Sequence, residues 1–145
     1  MDSEISRRKF NSQFVKGLGG LATLSALPFG CVTAADKPRQ KLGVALVGLG
    51  YYSSGLLAPA LQETSHCALK GIVTGTPSKE KTWASKYGIP KENIYNYDNF
   101  DEIASNKDID IVYVVLPNSM HAEFSIRAAK AGKHVICEKP MAMNV

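Results

Sequence analysis

Two glycines, two positions apart at the end of an apolar run, are the first residues here that could do chemistry. In Gly48-Leu49-Gly50-Tyr51-Tyr52-Ser53, Gly48 permits a tight turn and Gly50 lets the backbone approach a bulky anion. A helix opening directly after them would offer unpaired N–H groups to negative charge. This is the pattern of a pyrophosphate cradle, with Ser53 standing where a third glycine is usual and still small enough for close helix packing. The pattern is weak alone and gains weight only with a strand before it and a helix after it. A second group closes the next apolar run, Ile72-Val73-Thr74-Gly75. A site for an unphosphorylated adenosine ribose usually carries Asp or Glu there. Here neutral Thr74 is followed five residues on by Lys79. A hydroxyl with an ammonium suits a 2′-phosphate, which favours NADP, with NAD possible; the alternative, that Lys79 is an ordinary exposed lysine, stays open. Cys31, Cys67 and Cys137 have neither metal-ligand spacing nor a disulfide framework, and Cys67 and Cys137 read as buried free thiols.

These groups need elements to position them. Leu42 to Val47, Ala68 to Thr74, Ile109 to Leu116 and Val135 to Cys137 are short, nearly unbroken apolar runs. Continuous apolarity marks strands buried on both faces, as in parallel sheets. Helix-like segments separate them: Ser53 to Thr64, which Pro59 must kink or restart; Ser78 to Tyr87, closed by Gly88 and Pro90; and a short piece from Asp101 to Ser105. The best-defined helix is Ser119 to Ala131, with Asn118 or Ser119 to cap its start and Gly132 its end. Met120, Phe124, Ala128 and Ala131 form a stripe that should face the sheet. Alternating strand and helix predicts an α/β fold with a doubly wound parallel sheet, the Rossmann dinucleotide-binding arrangement, over residues 42–145. In it, Gly48, Thr74, Leu116 and Glu138 share the carboxyl edge of the sheet, where ligands bind.

Composition narrows the alternatives. The chain has 145 residues, 17 Lys and Arg against 13 Asp and Glu, and a net charge of +4. Four of the basic residues, Arg7, Arg8, Lys9 and Lys16, lie in residues 1–34 against only Asp2 and Glu4. The rest is close to neutral, which argues against a nucleic-acid-binding face. Ser6-Arg7-Arg8-Lys9-Phe10, then a weak, Gly-rich apolar run and small residues to Ala34, reads as a cleavable export signal over residues 1–34. The arginine pair is similar to the twin-arginine type, which carries folded proteins and points to the periplasm. The apolar run falls short of the roughly 20 residues of a membrane span, so no stable span is expected. Leu27-Pro28-Phe29-Gly30-Cys31 is loosely like a lipoprotein box, a lesser alternative that would anchor a lipid at Cys31. Residues 35–41, charged and broken by Pro38, read as a linker.

Glu138-Lys139-Pro140 follows the last apolar run directly, and with it a longer pattern is complete. The motifs are Val47-Gly48-Leu49-Gly50; Asn93-Ile94-Tyr95 with Tyr97 and Phe100; Leu116-Pro117-Asn118-Ser119 through His121-Ala122-Glu123; and Ala131-Gly132-Lys133-His134 running into Glu138-Lys139-Pro140. In this order they resemble the N-terminal domain of the Gfo/Idh/MocA oxidoreductases, nearest to the glucose–fructose oxidoreductase type. The resemblance implies hydride transfer between a nicotinamide and a sugar or polyol. It implies a cofactor site built from Gly48, Leu49, Gly50, Tyr51, Tyr52, Thr74, Lys79, Tyr97, Leu116, Asn118, His121, Glu138 and Lys139. Lys139 would be the catalytic residue, beside the nicotinamide and bonded to the reacting hydroxyl. A lysine there can donate to a carbonyl or accept from a carbinol; alternatively it only holds the loop through Glu138 or a phosphate. His121, at a helix start, could cap or could touch cofactor, while His66 and His134 read as structural or exposed.

The family also implies a second α/β domain carrying the substrate site and the proton-transferring residue, so this stretch alone is expected to be inactive. It implies a small sugar as substrate and a homo-oligomeric full-length enzyme. Two other readings stay open: an NAD-dependent glycoside hydrolase of the same superfamily, and a cofactor-binding module without turnover. Thr74 with Lys79 speaks against the hydrolase, since NAD would prefer an acid at position 74.

Overall fold

The computed structural model of the chain describes residues 41–144; the expected export signal, most of the linker and Cys31 lie outside them. The elements run β1 (Leu42–Val47), α1 (residues 53–63), β2 (Cys67–Val73), α2 (Pro77–Tyr87), β3 (Ile94–Tyr95), β4 (Ile111–Val114), α3 (Asn118–Lys130) and β5 (His134–Cys137). Short 3-10 turns at Lys91–Asn93 and Phe100–Ser105 flank β3. The five strands form one sheet in the order β3-β2-β1-β4-β5, and every neighbouring pair is parallel.

Why the strands read as unbroken apolar runs is visible in β1, where every residue after Leu42 is buried. Val44 and Leu46 pack with Leu69, Ile72 and Trp83 beneath α1 and α2. Ala45 and Val47 pack on the opposite face with Val112, Val114, Phe124 and Ala128. Side chains alternate between faces along a strand, so a central strand with helices on both faces has no position left for a polar residue.

The helices begin and end for local reasons. α1 opens with a π-helical turn, Ser53–Leu57, and continues as an α-helix over Ala58–Glu63. Pro59 sits at the start of the α-helical part, where its missing N–H costs least; this is the restart its position predicts. Gly88 ends α2 with φ of +65°, a conformation glycine takes without strain. α3 departs from expectation at its start. It begins at Asn118, with Pro117 in the capping position and no side-chain cap. The fixed ring of Pro117 sets the chain direction, and its carbonyl accepts the Met120 amide at 2.9 Å. The expected stripe is correct: Phe124 and Ala128 are buried, with Met120 and Ala131 packed against the same core.

The sequence pattern does not reveal β3, because two residues carry no periodicity. A polar network holds that edge instead. Asn93, 1% exposed, donates through Nδ2 to the Lys70 carbonyl (3.0 Å) and accepts from Asn106 Nδ2 (2.6 Å). Asn106 Nδ2 also lies 2.7 Å from the Tyr95 hydroxyl. A second anchor lies on α3. Arg127 stacks between Phe100 and Phe124, 5.0 and 4.9 Å from their centroids, and grips the Asp101 carboxylate at 3.0 and 3.2 Å. Asp101 is largely exposed, so the ion pair alone is worth little; the stacked, forked guanidinium fixes the Phe100–Ser105 turn on α3. Cys67 and Cys137 are free thiols, half-buried rather than fully buried.

Gly43 ties β1 to the turn before β4. Its N–H donates to Asp110 Oδ2 at 2.7 Å, its carbonyl accepts the Asp110 amide at 2.8 Å, and a Cβ there would run into the Asp108 carbonyl. Backbone cannot yield as a flexible side chain can. Gly43→Ala should therefore lower the unfolding free energy by about 3 kcal/mol, read from denaturant unfolding; an unchanged midpoint would contradict this β1–β4 packing.

Candidate functional site

The carboxyl ends of the strands meet at one level because backbone amides just past them continue the ladder. Gly48 N–H donates to the Val73 carbonyl (3.0 Å), Thr74 N–H to Tyr95 (2.9 Å), Val115 N–H to Val47 (2.8 Å) and Glu138 N–H to Val114 (3.1 Å). The strand order reverses direction between β1 and β4, and a crevice outside such a reversal is where open α/β sheets bind ligands. Gly48, Thr74, Leu116 and Glu138 thus share one edge, as the sequence leads one to expect.

The glycine loop stands over that reversal. Gly48 has φ of +93°, and a Cβ on it would meet the Val115 carbonyl oxygen at 2.5 Å and Leu116 Cδ2 at 3.0 Å. Both the turn and the close approach of β4 therefore require glycine. Gly50 differs: nothing lies within 4 Å of where its Cβ would be. Space above its backbone is what a pyrophosphate cradle needs, so the loop fits a dinucleotide. Ser53, fully buried, donates from Oγ to the Gly48 carbonyl at 2.6 Å. It closes the loop onto α1, so its role is more specific than small size. Leu49 is buried among the α1 and α2 side chains and offers the cleft only its backbone. Tyr51 and Tyr52 are exposed beside the loop, Tyr51 at 85%.

At the end of β2, Thr74 is 3% exposed, and its Oγ1 accepts the Thr76 amide at 3.1 Å. The hydroxyl shapes the turn into α2 and keeps its own hydrogen to donate. Lys79 Nζ reaches back across that turn to the Leu49 carbonyl at 2.8 Å. It is therefore no detached surface lysine, since its charge lies against the glycine loop. Tyr97 packs its ring where a Gly75 side chain would be (2.7 Å to Cε2) and stands edge-on to Phe124 at 5.4 Å.

On the other side of the loop, Leu116 is buried with the α3 core, while Asn118 is exposed at the first turn of α3. Glu138 is oriented by a residue the sequence reading misses. Tyr113 donates its hydroxyl to Glu138 Oε1 at 2.6 Å. Burial first, then the bonded carboxylate, pushes the Tyr113 ionisation well above the usual phenol range, which keeps it a donor. A hydroxyl inside an otherwise apolar strand is the signal that marks it, because a buried Tyr needs a partner. This carboxylate pairs with a phenol rather than with Lys139, and both ion pairs found among the described residues belong to Arg127. Lys139 is exposed at the edge.

His121 is a correction. The family resemblance sets it in the cofactor cleft, but its ring is 1% exposed. Nδ1 lies 2.6 Å from the Pro140 carbonyl and Nε2 2.7 Å from the Leu116 carbonyl. Both nitrogens face protein carbonyls, so neither is directed at the cleft. Two surface hollows, of about 340 and 420 Å³, are lined by residues such as Asp101, Arg127 and Lys130, or Glu92, Asn106 and Asp108. Neither includes a residue of the glycine loop, the β2 end or the Lys139 turn. Among the described residues no group of His, Cys, Asp and Glu is placed to hold a metal, and no helix is long and apolar enough to cross a membrane.

Comparison with known proteins agrees with this geometry. Residues 42–145 match the profile of an oxidoreductase family with an NAD-binding Rossmann fold. A crystal structure of aldose–aldose oxidoreductase from Caulobacter crescentus, complexed with glycerol, superposes with a TM-score of 0.70 at 53% identity, covering 71% of this chain and 31% of that one. Apo scyllo-inositol dehydrogenase from Lactobacillus casei gives 0.63 at 25% identity, covering 73% of this chain and 30% of that one. The NADP-dependent D-xylose 1-dehydrogenase of Haloarcula marismortui is 28% identical over 113 residues, 78% of this chain and 30% of the relative. The chain spans about a third of the length of the relatives it matches.

The open space at Gly50 separates stability from binding. Gly50→Ala should leave unfolding free energy within about 0.5 kcal/mol of the parent, while dinucleotide affinity measured by calorimetric titration falls at least tenfold. Unchanged affinity would remove Gly50 from the cradle.

Proposed function

The chain belongs to the Gfo/Idh/MocA oxidoreductase family, and from that premise we propose that it forms the NADP-binding part of an enzyme oxidising or reducing a sugar or polyol. The observation that carries this is the meeting of three groups at one sheet edge: the open glycine loop, the Thr74–Lys79 turn and the turn bearing Lys139. The kinship with an aldose–aldose oxidoreductase supports a sugar as substrate. The relatives' greater length supports a substrate wall outside the region they share with this chain.

In this reading the backbone of Gly48 to Gly50 and the start of α1 hold the pyrophosphate, and Thr74 and Lys79 hold the adenosine end. Nicotinamide, when bound, supplies the two-electron acceptor. Lys139, at the end of β5, donates to the substrate oxygen in the carbonyl form and accepts its hydrogen bond in the carbinol form. Glu138, held by Tyr113, fixes the direction in which the chain leaves the sheet. The buried floor of Leu116 and Gly48 keeps water from reaching the cleft from below.

Lys79 already lies against the glycine loop, so a 2′-phosphate would take over an ammonium that now serves a neutral carbonyl. Charge-assisted bonds of this kind are worth roughly 1.5–3 kcal/mol. Lys79→Ala should weaken NADP binding by about 10- to 150-fold more than it weakens NAD binding; equal losses for both cofactors would refute the 2′-phosphate role. Lys139→Ala should lower turnover far more than it weakens NADP binding, as read by steady-state kinetics and cofactor titration.

We also propose that Arg7 and Arg8 direct twin-arginine export of the folded, cofactor-loaded protein. Replacing both with Lys should hold the protein in the cytoplasm on cell fractionation; an unchanged distribution would contradict this.

A further inference from the structure

The most deeply buried titratable side chain at the edge of the site is one that no step above uses. His121 lies in the first turn of α3, 1% exposed. Its two ring nitrogens meet carbonyls of two separate segments, Leu116 just past β4 and Pro140 just past β5, at 2.7 and 2.6 Å. Carbonyl oxygens only accept, so each contact is a hydrogen bond only where that ring nitrogen carries a hydrogen, which the tautomer sets. A hydrogen-bonding group buried like the Leu116 carbonyl is costly to leave unpaired, so an apolar residue here would strand it and also release the part-buried Pro140 carbonyl.

The place of these bonds matters more than their number. Lys139 stands between two fixed neighbours. On one side Glu138 is held twice, through its amide to Val114 at 3.1 Å and its carboxylate to Tyr113 at 2.6 Å. On the other, Pro140 is held through its carbonyl by His121. None of these bonds involves the Lys139 ammonium. The backbone is thus pinned on both sides of a side chain that is left to reach the cleft. We propose that His121 is a positioning residue: by bridging the end of β4 to the Pro140 carbonyl, it fixes the turn from which Lys139 addresses the reacting hydroxyl. This rests on the reading of Lys139 given above. The bridge also couples that turn to Leu116, which forms the floor beneath Gly48, so both walls of the crevice share one buried ring.

The test uses the full-length gene product with His121→Phe, which keeps a ring without polar atoms, His121→Gln, which keeps one amide donor, Lys139→Ala, and the double variant H121F/K139A. A 1 Å misplacement of a reacting group costs up to about 100-fold in rate. His121→Phe should therefore lower kcat by about 10- to 100-fold, with KM for the sugar and Kd for NADP within about threefold of the parent. Hydrogen exchange at the Glu138 amide, which is bonded to the Val114 carbonyl, should quicken, with exchange in the Gly48–Ser53 loop unchanged. His121→Gln should recover part of the lost rate. Should His121→Phe not fold, His121→Gln carries the same comparisons against the parent. Adding K139A to the His121 variant should cost nothing further beyond Lys139→Ala alone, because residues that act as a unit are not additive. Additive losses, or a fall in NADP affinity as large as the fall in kcat with exchange at the Glu138 amide unaltered, would overturn the inference while leaving Lys139 in place. An unchanged kcat in Lys139→Ala would instead strike down the reading of Lys139, and this inference with it.

Discussion

Four amide hydrogens, each donated one strand across, set the level of the sheet's carboxyl edge, and the site depends on that level. Gly48, Thr74, Val115 and Glu138 are the first residues beyond their strands, and each closes its ladder on a neighbour's last or near-last carbonyl. A parallel sheet has no hairpins to align its strands, so these terminal bonds, with the helices packed on both faces, fix where each chain leaves the edge. Because β1 lies between β2 and β4, the chain after β1 leaves where the winding reverses. The glycine loop stands at that point.

A gradient of tolerance follows along the edge. At Gly48 the φ of +93° and the Val115 carbonyl together exclude any side chain. At Gly50, two residues on, the surroundings are open. The same loop is held from behind by Ser53 and from the side by Lys79, so the backbone keeps its shape while its outer surface is left clear. Fixed backbone donors beside open space suit a polyanion, because they need little reorganisation on binding. The β5 end follows the same logic with different residues. Tyr113 and His121 hold the chain on both sides of Lys139, and a lysine stem with four rotatable carbons gains its direction from a rigid root.

Much of this was legible in the sequence, for a physical reason. A central strand buried on both faces must be apolar throughout, as β1 is. β2, β4 and β5 also read as short apolar runs, although β2 carries exposed Lys70 and the edge strand β5 has no fully buried residue. The glycine loop, Gly88 and Gly132 mark where strand or helix stops. β3 escapes because its two residues owe their place to Asn93 and Asn106 rather than to pattern. The cap of α3 escapes because Pro117 replaces a side-chain cap with a fixed φ. Site residues divide along the same line. Gly48, Gly50, Thr74 and Lys79 act through backbone shape or charge within a few residues of an element's end, which spacing reveals. His121 and Tyr113 act across 19 and 25 residues of sequence, and no spacing encodes such partners. His121 accordingly falls under the cleft floor and not in the cleft.

The central claim is that dinucleotide binds along this one edge, from the β2–α2 turn across the glycine loop to the Lys139 turn. The most direct measurement is the change in backbone amide NMR signals of the isotope-labelled protein as NADP is added. The account predicts shifts concentrated in residues 48–53, 74–79, 116–118 and 138–139, with the Asn93–Asn106 network and the Asp101–Arg127 anchor unmoved. Shifts centred on that network or anchor, or none at residues 48–53, would contradict it.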